Sequence, residues 1–261
     1  MPIGPARMPL LDHLGELRRR LTIIVVAVLI TAVVVYAATP TIIDMLLDPI
    51  RAYIPDGKLS VLTALGGFTV RFKVSLFVGL IVASPIVIWQ IMAFFLPALK
   101  PNERRWVVPT FAAFIILFLL GMIFCYLVIL NAAFGWLYSQ TVEFATVVPQ
   151  AEDYISIIML LEIGFGIAFQ LPLVVFYLTI FHIVPYYTLR RSWRYVYVAL
   201  MVISGITTPD ASPVTMILMF AALVSLYEIS LAIARQVISI REGKQALKWD
   251  REQYAAHSMD D

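Results

Sequence analysis

Six stretches of the chain, near residues 21–39, 72–96, 110–136, 154–182, 193–207 and 214–234, are almost free of charge, and five of them run close to or beyond 20 residues. A helix needs about 20 apolar residues to cross the ~30 Å hydrocarbon layer of a bilayer. Runs of that length leave no polar face for water. Hydrophobic residues make up 61% of the chain and charged residues 14%, against about 45–50% and about 25% in a soluble domain. The chain therefore reads as an all-α, polytopic membrane protein with six transmembrane helices.

The first run is longer than the apolar part of a secretory signal, and no small-residue cleavage pattern follows Tyr36. It is expected to stay in the protein. The fifth run holds only about 13 apolar residues after Arg194, fewer than the ~17 normally needed, so the fifth and sixth helices are expected to be short and to form a hairpin. Pro85 and Pro172 interrupt the second and fourth runs. Proline removes a ladder donor and clashes with the preceding turn, which suggests kinked helices and a curved, open bundle. No repeat or second domain is evident: residues 1–240 read as a single membrane domain and 241–261 as a polar cytoplasmic tail.

Charge position sets the orientation. Fifteen of the nineteen Lys and Arg residues fall in the N-terminal segment, the 97–106 loop, the 183–194 loop or the tail after span six. By the positive-inside rule these are the cytoplasmic segments, giving an N-in/C-in topology. The net charge of +2 is too small for a nucleic-acid binder. The single cysteine, Cys125, permits no internal disulfide, and His13, His182 and His257 show no ligand spacing. No metal, cofactor, nucleophile turn or phosphate loop is indicated, so the chain is not expected to be an enzyme.

Ionisable groups within a span cost about 2.5–3.5 kcal/mol on insertion scales and are functional candidates by default. Glu162 falls near the middle of the fourth span, with the polar Gln170 two turns on. Glu228 stands seven residues before Arg235, where snorkelling or pairing with a basic loop accounts for it. Glu162 and Gln170 admit two readings: interhelical hydrogen bonding, or a midplane site in a transporter of a small cationic solute. The spacing of Leu10, Leu14, Leu17 and Leu21 makes an apolar helical face along the interface, flanked by Asp12 and Glu16. Glu16 and, in the 97–106 loop, Glu103 are carboxylates in basic surroundings. They either pair internally with Arg18 or Arg104, or form an anionic site for a dibasic ligand, since guanidinium and carboxylate meet as forks.

Four motifs in order carry a resemblance: His13-Leu14-x-Glu16-Leu17-Arg18-x-Arg20-Leu21; Pro97-Ala98-Leu99 with Glu103-Arg104-Arg105; Phe165-Gly166-x-x-Phe169-x-x-Pro172; and Thr208-Pro209-Asp210. From about residue 10 to 240 the chain resembles the TatC family, the multi-span subunit of the twin-arginine protein translocase. The resemblance implies a receptor in the cell inner (cytoplasmic) membrane that recognises twin-arginine signal peptides of folded precursor proteins. It also implies TatA/TatB-type single-span partners, drive by the proton-motive force, and a homo-oligomeric receptor complex.

By the same resemblance Glu16 and Glu103 receive the signal's arginine pair, Arg18, Arg104 and Arg105 orient those carboxylates, and Phe94 packs on the peptide's apolar part. Pro49 matches a proline of the first external loop, expected to cap the concave face. Many relatives carry glutamate at the position of Gln170; that charge is missing here, and Glu162, eight residues and about 80° away around the helix, need not face the same cavity.

Overall fold

The computed structural model describes residues 10–95, 107–180, 183–208, 212–241, 243 and 245. Its helices are α1 (Leu10–Tyr36), α2 (Thr39–Leu47), α3 (Gly66–Phe95), α4 (Val107–Phe124), α5 (Leu130–Val142), α6 (Ala151–Ala168), α7 (Leu171–Ile180), α8 (Tyr186–Arg191), α9 (Trp193–Thr207) and α10 (Pro213–Arg241). Among the described residues five segments are long and apolar enough to cross a membrane: Gly15–Tyr36, Gly66–Phe94, Val108–Val142, Ala151–Ile180 and Pro213–Ile240. The helix Trp193–Thr207 is a shorter apolar one. Val33, Val34, Ile206 and Ile240 are more than 70% exposed, which is tolerable when lipid is the solvent.

The chain folds as two compact units. One comprises residues 1–46 and 61–115, the other 47–60 and 116–261. In the first, α1 and α3 pack along their lengths. Their contacts run in opposite order, Arg20 with Gln90, Thr31 with Gly79 and Tyr36 with Arg71, so the two helices are antiparallel. The backbones approach closely because Ser75, Gly79 and Ala83 form a buried stripe of small residues at four-residue spacing on α3. Small residues let helices meet in lipid, where burial of apolar area alone gives no attraction. A Cβ on Gly79 would stand 2.8 Å from Ala32 N.

In the second unit α10 packs on α7 and α9. The Ser230 hydroxyl donates to the Pro172 carbonyl at 2.7 Å, and Ile180 and Ile238 share a buried cluster, so α7 and α10 run in the same direction. Tyr197 meets both Phe220 and Tyr227, and Gly205 approaches Met216. Those contacts make α9 and α10 an antiparallel hairpin.

Two expectations change. The sixth helix is not short: α10 has 29 residues and continues past Arg235, because a Lys or Arg stem extends a helix beyond the hydrocarbon without ending it. Residues from Leu10 onward do not form a separate surface helix but are the first turns of α1. Pro85 lies inside α3 without ending it, whereas Pro172 does mark a break. It occupies the first turn of α7, where a missing N–H costs nothing. A further irregularity is a π-helical turn, Cys125–Ile129, between α4 and α5; one extra residue there rotates the side chains that follow relative to those before.

Candidate functional site

Near the N-terminal end of α1, Glu16 and Arg20 stand one turn apart and form an ion pair. Arg20 Nε donates to Glu16 Oε1 at 3.0 Å, and Nη2 donates to the same oxygen. The remaining terminal nitrogen, Nη1, donates to Gln90 Oε1 on α3 at 3.2 Å. Arg20 thus ties the carboxylate to the neighbouring helix, and both side chains are only about one-fifth exposed, 22% and 23%. A desolvated charge-assisted pair is firmer than one in water. The second oxygen of Glu16, Oε2, is shielded from solvent and has no hydrogen-bond partner among the described residues. An acceptor lone pair held in place and without a donor is a binding feature, since leaving it unmade costs about 1–3 kcal/mol.

The partner of Glu16 is Arg20 rather than the expected Arg18, whose side chain is exposed; the Arg18 carbonyl accepts from the Thr22 hydroxyl at 2.9 Å. Phe94 stands one turn beyond Gln90 on α3 and is half-buried, so it shares the α3 face that meets Arg20. Glu103, Arg104 and Arg105, together with Asp210, lie outside the described residues.

The other sequence candidates belong to the second unit. Glu162 on α6 is 4% exposed, with Tyr126 of the π-helical turn within electrostatic reach. Gln170, at the α6–α7 break, is buried, and its Nε2 donates to the Gly166 carbonyl at 3.3 Å. Glu228 accepts two bonds from Arg190 Nη1, at 3.0 and 2.7 Å, and one from the Tyr197 hydroxyl at 2.8 Å. It clamps α8, α9 and α10 together, aided by Tyr227, whose hydroxyl donates to the Leu189 carbonyl at 3.0 Å.

Pro49 sits in the 3₁₀ segment Asp48–Tyr53 and lines a cavity of about 230 Å³ with Asp48, Tyr126, Leu127 and Asn131. The segment is anchored where the Tyr53 hydroxyl donates to Asn131 Oδ1 at 2.8 Å. The chain that follows it is held at Ser60, whose N–H donates to the Pro149 carbonyl at 2.8 Å and whose carbonyl accepts from Ala151 N at 2.9 Å. Among the described residues no three His, Cys, Asp or Glu side chains group as a metal site.

Sequence reasoning missed Arg20 as the anchor of Glu16 and Gly79 as the contact between α1 and α3. The first was available from the four-residue spacing of acid and base on one helix face, the second from the small residues recurring every fourth position.

Comparison with known proteins gives one consistent answer. A family model described as TatC, the Sec-independent protein translocase protein, matches residues 12–221. The Sec-independent protein translocase protein TatC of Aquifex aeolicus (strain VF5) is 34% identical over 243 residues, covering 92% of this chain and 100% of the relative. The protein of the same description from Escherichia coli (strain K12) is 32% identical over 202 residues, 77% of this chain and 78% of the relative. A crystal structure of the twin-arginine translocase receptor TatC superposes with a TM-score of 0.71 at 33% identity, over 86% of this chain and 98% of that one. A second crystal structure of that receptor, in the detergent DDM, gives 0.72 at 33% identity over 85% and 99%.

Proposed function

The chain belongs to the TatC family of Sec-independent protein translocase proteins, and from that premise we propose that it is the subunit that receives twin-arginine signal peptides of folded precursors. It is a multi-pass membrane protein and a transport subunit rather than an enzyme. Membership replaces the alternative of a small-solute transporter built on Glu162 and Gln170.

The observation that carries the reading is Glu16. Its carboxylate is fixed by Arg20 through one oxygen and keeps the other without a donor. An incoming guanidinium supplies the missing donors as a planar fork, and a lysine ammonium cannot reproduce that geometry. Glu103 is the second carboxylate of the site, Arg18, Arg104 and Arg105 tune its charge, and Phe94 offers an apolar surface beside it.

The membrane is the cytoplasmic one, with both termini inside and six spans, α9 being the short fifth. Two features support that order: the antiparallel α9–α10 hairpin and the parallel α7–α10 pair, which place spans four and six in one direction. TatA/TatB-type single-span proteins and further copies of this chain are the assembly partners. The match over residues 12–221 supports one family domain over 1–240, followed by a cytoplasmic tail at 241–261. Pro49, in its anchored external segment, serves as part of the cap.

The test is binding of a labelled signal peptide to the purified protein in nanodiscs, comparing Arg-Arg with Lys-Lys peptides across wild type, Glu16→Ala and Glu103→Ala. The expected result is a preference for Arg-Arg that either substitution removes. Equal binding in all combinations overturns the site and moves the search to Glu162.

A further inference from the structure

Between α1 and α3 runs an apolar groove of about 420 Å³, lined by Ile23, Val26, Ala27, Ile30 and Thr31 of α1 and by Ile86 of α3. Its polar groups are already satisfied. The Thr31 hydroxyl is shared among the carbonyls of Ala27, Val28 and Gly79, each at 2.9 Å, and the Thr22 hydroxyl is bound to the Arg18 carbonyl. The groove is therefore dry and shaped for hydrocarbon.

An apolar surface inside a bilayer gains nothing by exchanging one hydrocarbon for another, so selectivity has to come from its rim. Arg19 lies on α1 one turn before Ile23, the first residue of that lining on its stripe. With about 100° of turn per residue, Arg19, Ile23, Val26 and Ile30 share a stripe roughly 60° wide, Arg19 at its N-terminal end. Arg20, Arg51 and Arg190 are held in ion pairs with Glu16, Asp48 and Glu228, and none of these pairs includes Arg18 or Arg19. Both are exposed. From Arg19 to Ile30 the helix rises about 16 Å, close to the ~15 Å thickness of one hydrocarbon leaflet.

We infer that Arg19 and the α1–α3 groove form a site for one anionic glycerophospholipid, its phosphate on the Arg19 guanidinium and one acyl chain along Ile23 to Ile30. The length match assigns the chain, and the exposed guanidinium assigns the charge. A zwitterionic lipid fills the same groove but gains less from a cationic rim, because its own ammonium opposes the attraction. One basic residue near an anionic surface is worth a factor of roughly five in affinity.

The experiment titrates delipidated full-length protein in detergent with phosphatidylglycerol, with phosphatidylcholine of identical chains, and with soluble glycerol 3-phosphate, reading adducts by native mass spectrometry. Phosphatidylglycerol is expected to be held at about five-fold lower concentration than phosphatidylcholine, with glycerol 3-phosphate not retained. Arg19→Gln, an exposed change that leaves the packing untouched, brings the ratio to about one without altering phosphatidylcholine. Val26→Trp, which fills the groove, removes both lipids while wild-type twin-arginine peptide binding persists. A preference that survives Arg19→Gln overturns the site, as does phosphatidylglycerol retained in Val26→Trp. Retention of glycerol 3-phosphate alone reassigns Arg19 to free phosphates. Displacement of the lipid by a twin-arginine peptide reassigns the groove to that peptide.

Discussion

Alanine at Gly79 puts a methyl group 2.8 Å from Ala32 N, 2.9 Å from its Cα and 3.0 Å from its Cβ. Two of those three atoms are backbone, so no rotamer change relieves them. To reach the 3.4 Å lower edge of ordinary contact, α1 has to retreat by at least 0.6 Å. Overpacking of this kind costs about 1–3 kcal/mol. The same retreat stretches the hydrogen bond from Thr31 to the Gly79 carbonyl, 2.9 Å in the structure, and interhelical bonds in membranes are worth about 0.6–1.7 kcal/mol. Alanine returns about 1 kcal/mol through its better helix propensity, leaving a net destabilisation of roughly 2 kcal/mol.

The assay is reversible unfolding in mixed micelles, followed by circular dichroism against the mole fraction of denaturing detergent. Gly67→Ala is the control, because nothing lies within 4 Å of the position its Cβ would take, and it should fall within about 0.5 kcal/mol of wild type. Thr31→Val isolates the hydrogen bond. Ala32→Gly in the Gly79→Ala background removes only the Cβ contact and should restore less than half of the loss. A Gly79→Ala protein within about 0.5 kcal/mol of wild type, or full rescue by Ala32→Gly, would show that the backbones do not set this contact.

Arg20→Gln should weaken twin-arginine peptide binding roughly tenfold by releasing Glu16, and Arg20→Lys should recover less than half of it, since the fork is lost with the guanidinium; peptide titration in nanodiscs measures both. Gly121→Ala should cost about 1–3 kcal/mol, because its Cβ would stand 2.6 Å from the Phe165 carbonyl oxygen. Gly166→Ala meets instead the edge of the Phe118 ring at 2.7 Å, which can swing away, and should cost less than Gly121→Ala in the same detergent titration. Ser230→Ala frees the Pro172 carbonyl and should lower stability by about 0.6–1.7 kcal/mol. Glu228→Gln keeps an acceptor for Tyr197 but loses the partly exposed pair with Arg190, at a cost of no more than about 1 kcal/mol.

The elements that water and lipid dictate were legible in the sequence. Trp193–Thr207 begins and ends where the apolar run does, because Arg194 and Thr208 mark the ends of what hydrocarbon accepts. The break at Pro172 was legible for the same local reason, the missing donor. The end of α10 was not. Arg235 looked like a boundary, yet a charge on a long stem sets where the bilayer ends rather than where the helix does. Tertiary events left no local mark: the π-helical turn at Cys125–Ile129 and the 3₁₀ segment at Asp48–Tyr53 depend on what packs against them. At the candidate site the carboxylate of Glu16 was readable as unusual among arginines. Its pairing with Arg20 was legible in their four-residue spacing, and the α1–α3 contact in the small residues around Gly79, but the tie from Arg20 to Gln90 was not, because it exists only once α3 lies alongside.

The bridge between Ser60 and Gln150 also sets a schedule. The two partners are separated by ninety residues of chain, and the segment 47–60 belongs to the compact unit completed by residues 116–261. At a synthesis rate of about 5–20 residues per second, Gln150 is made roughly 5–18 s after Ser60. Throughout that interval α1 and α3 are already available to each other, while the 47–60 segment waits for the partner that will hold it. The surface carrying Pro49 is therefore a late product of synthesis, and a chain arrested before Gln150 has its first helix pair without that anchor.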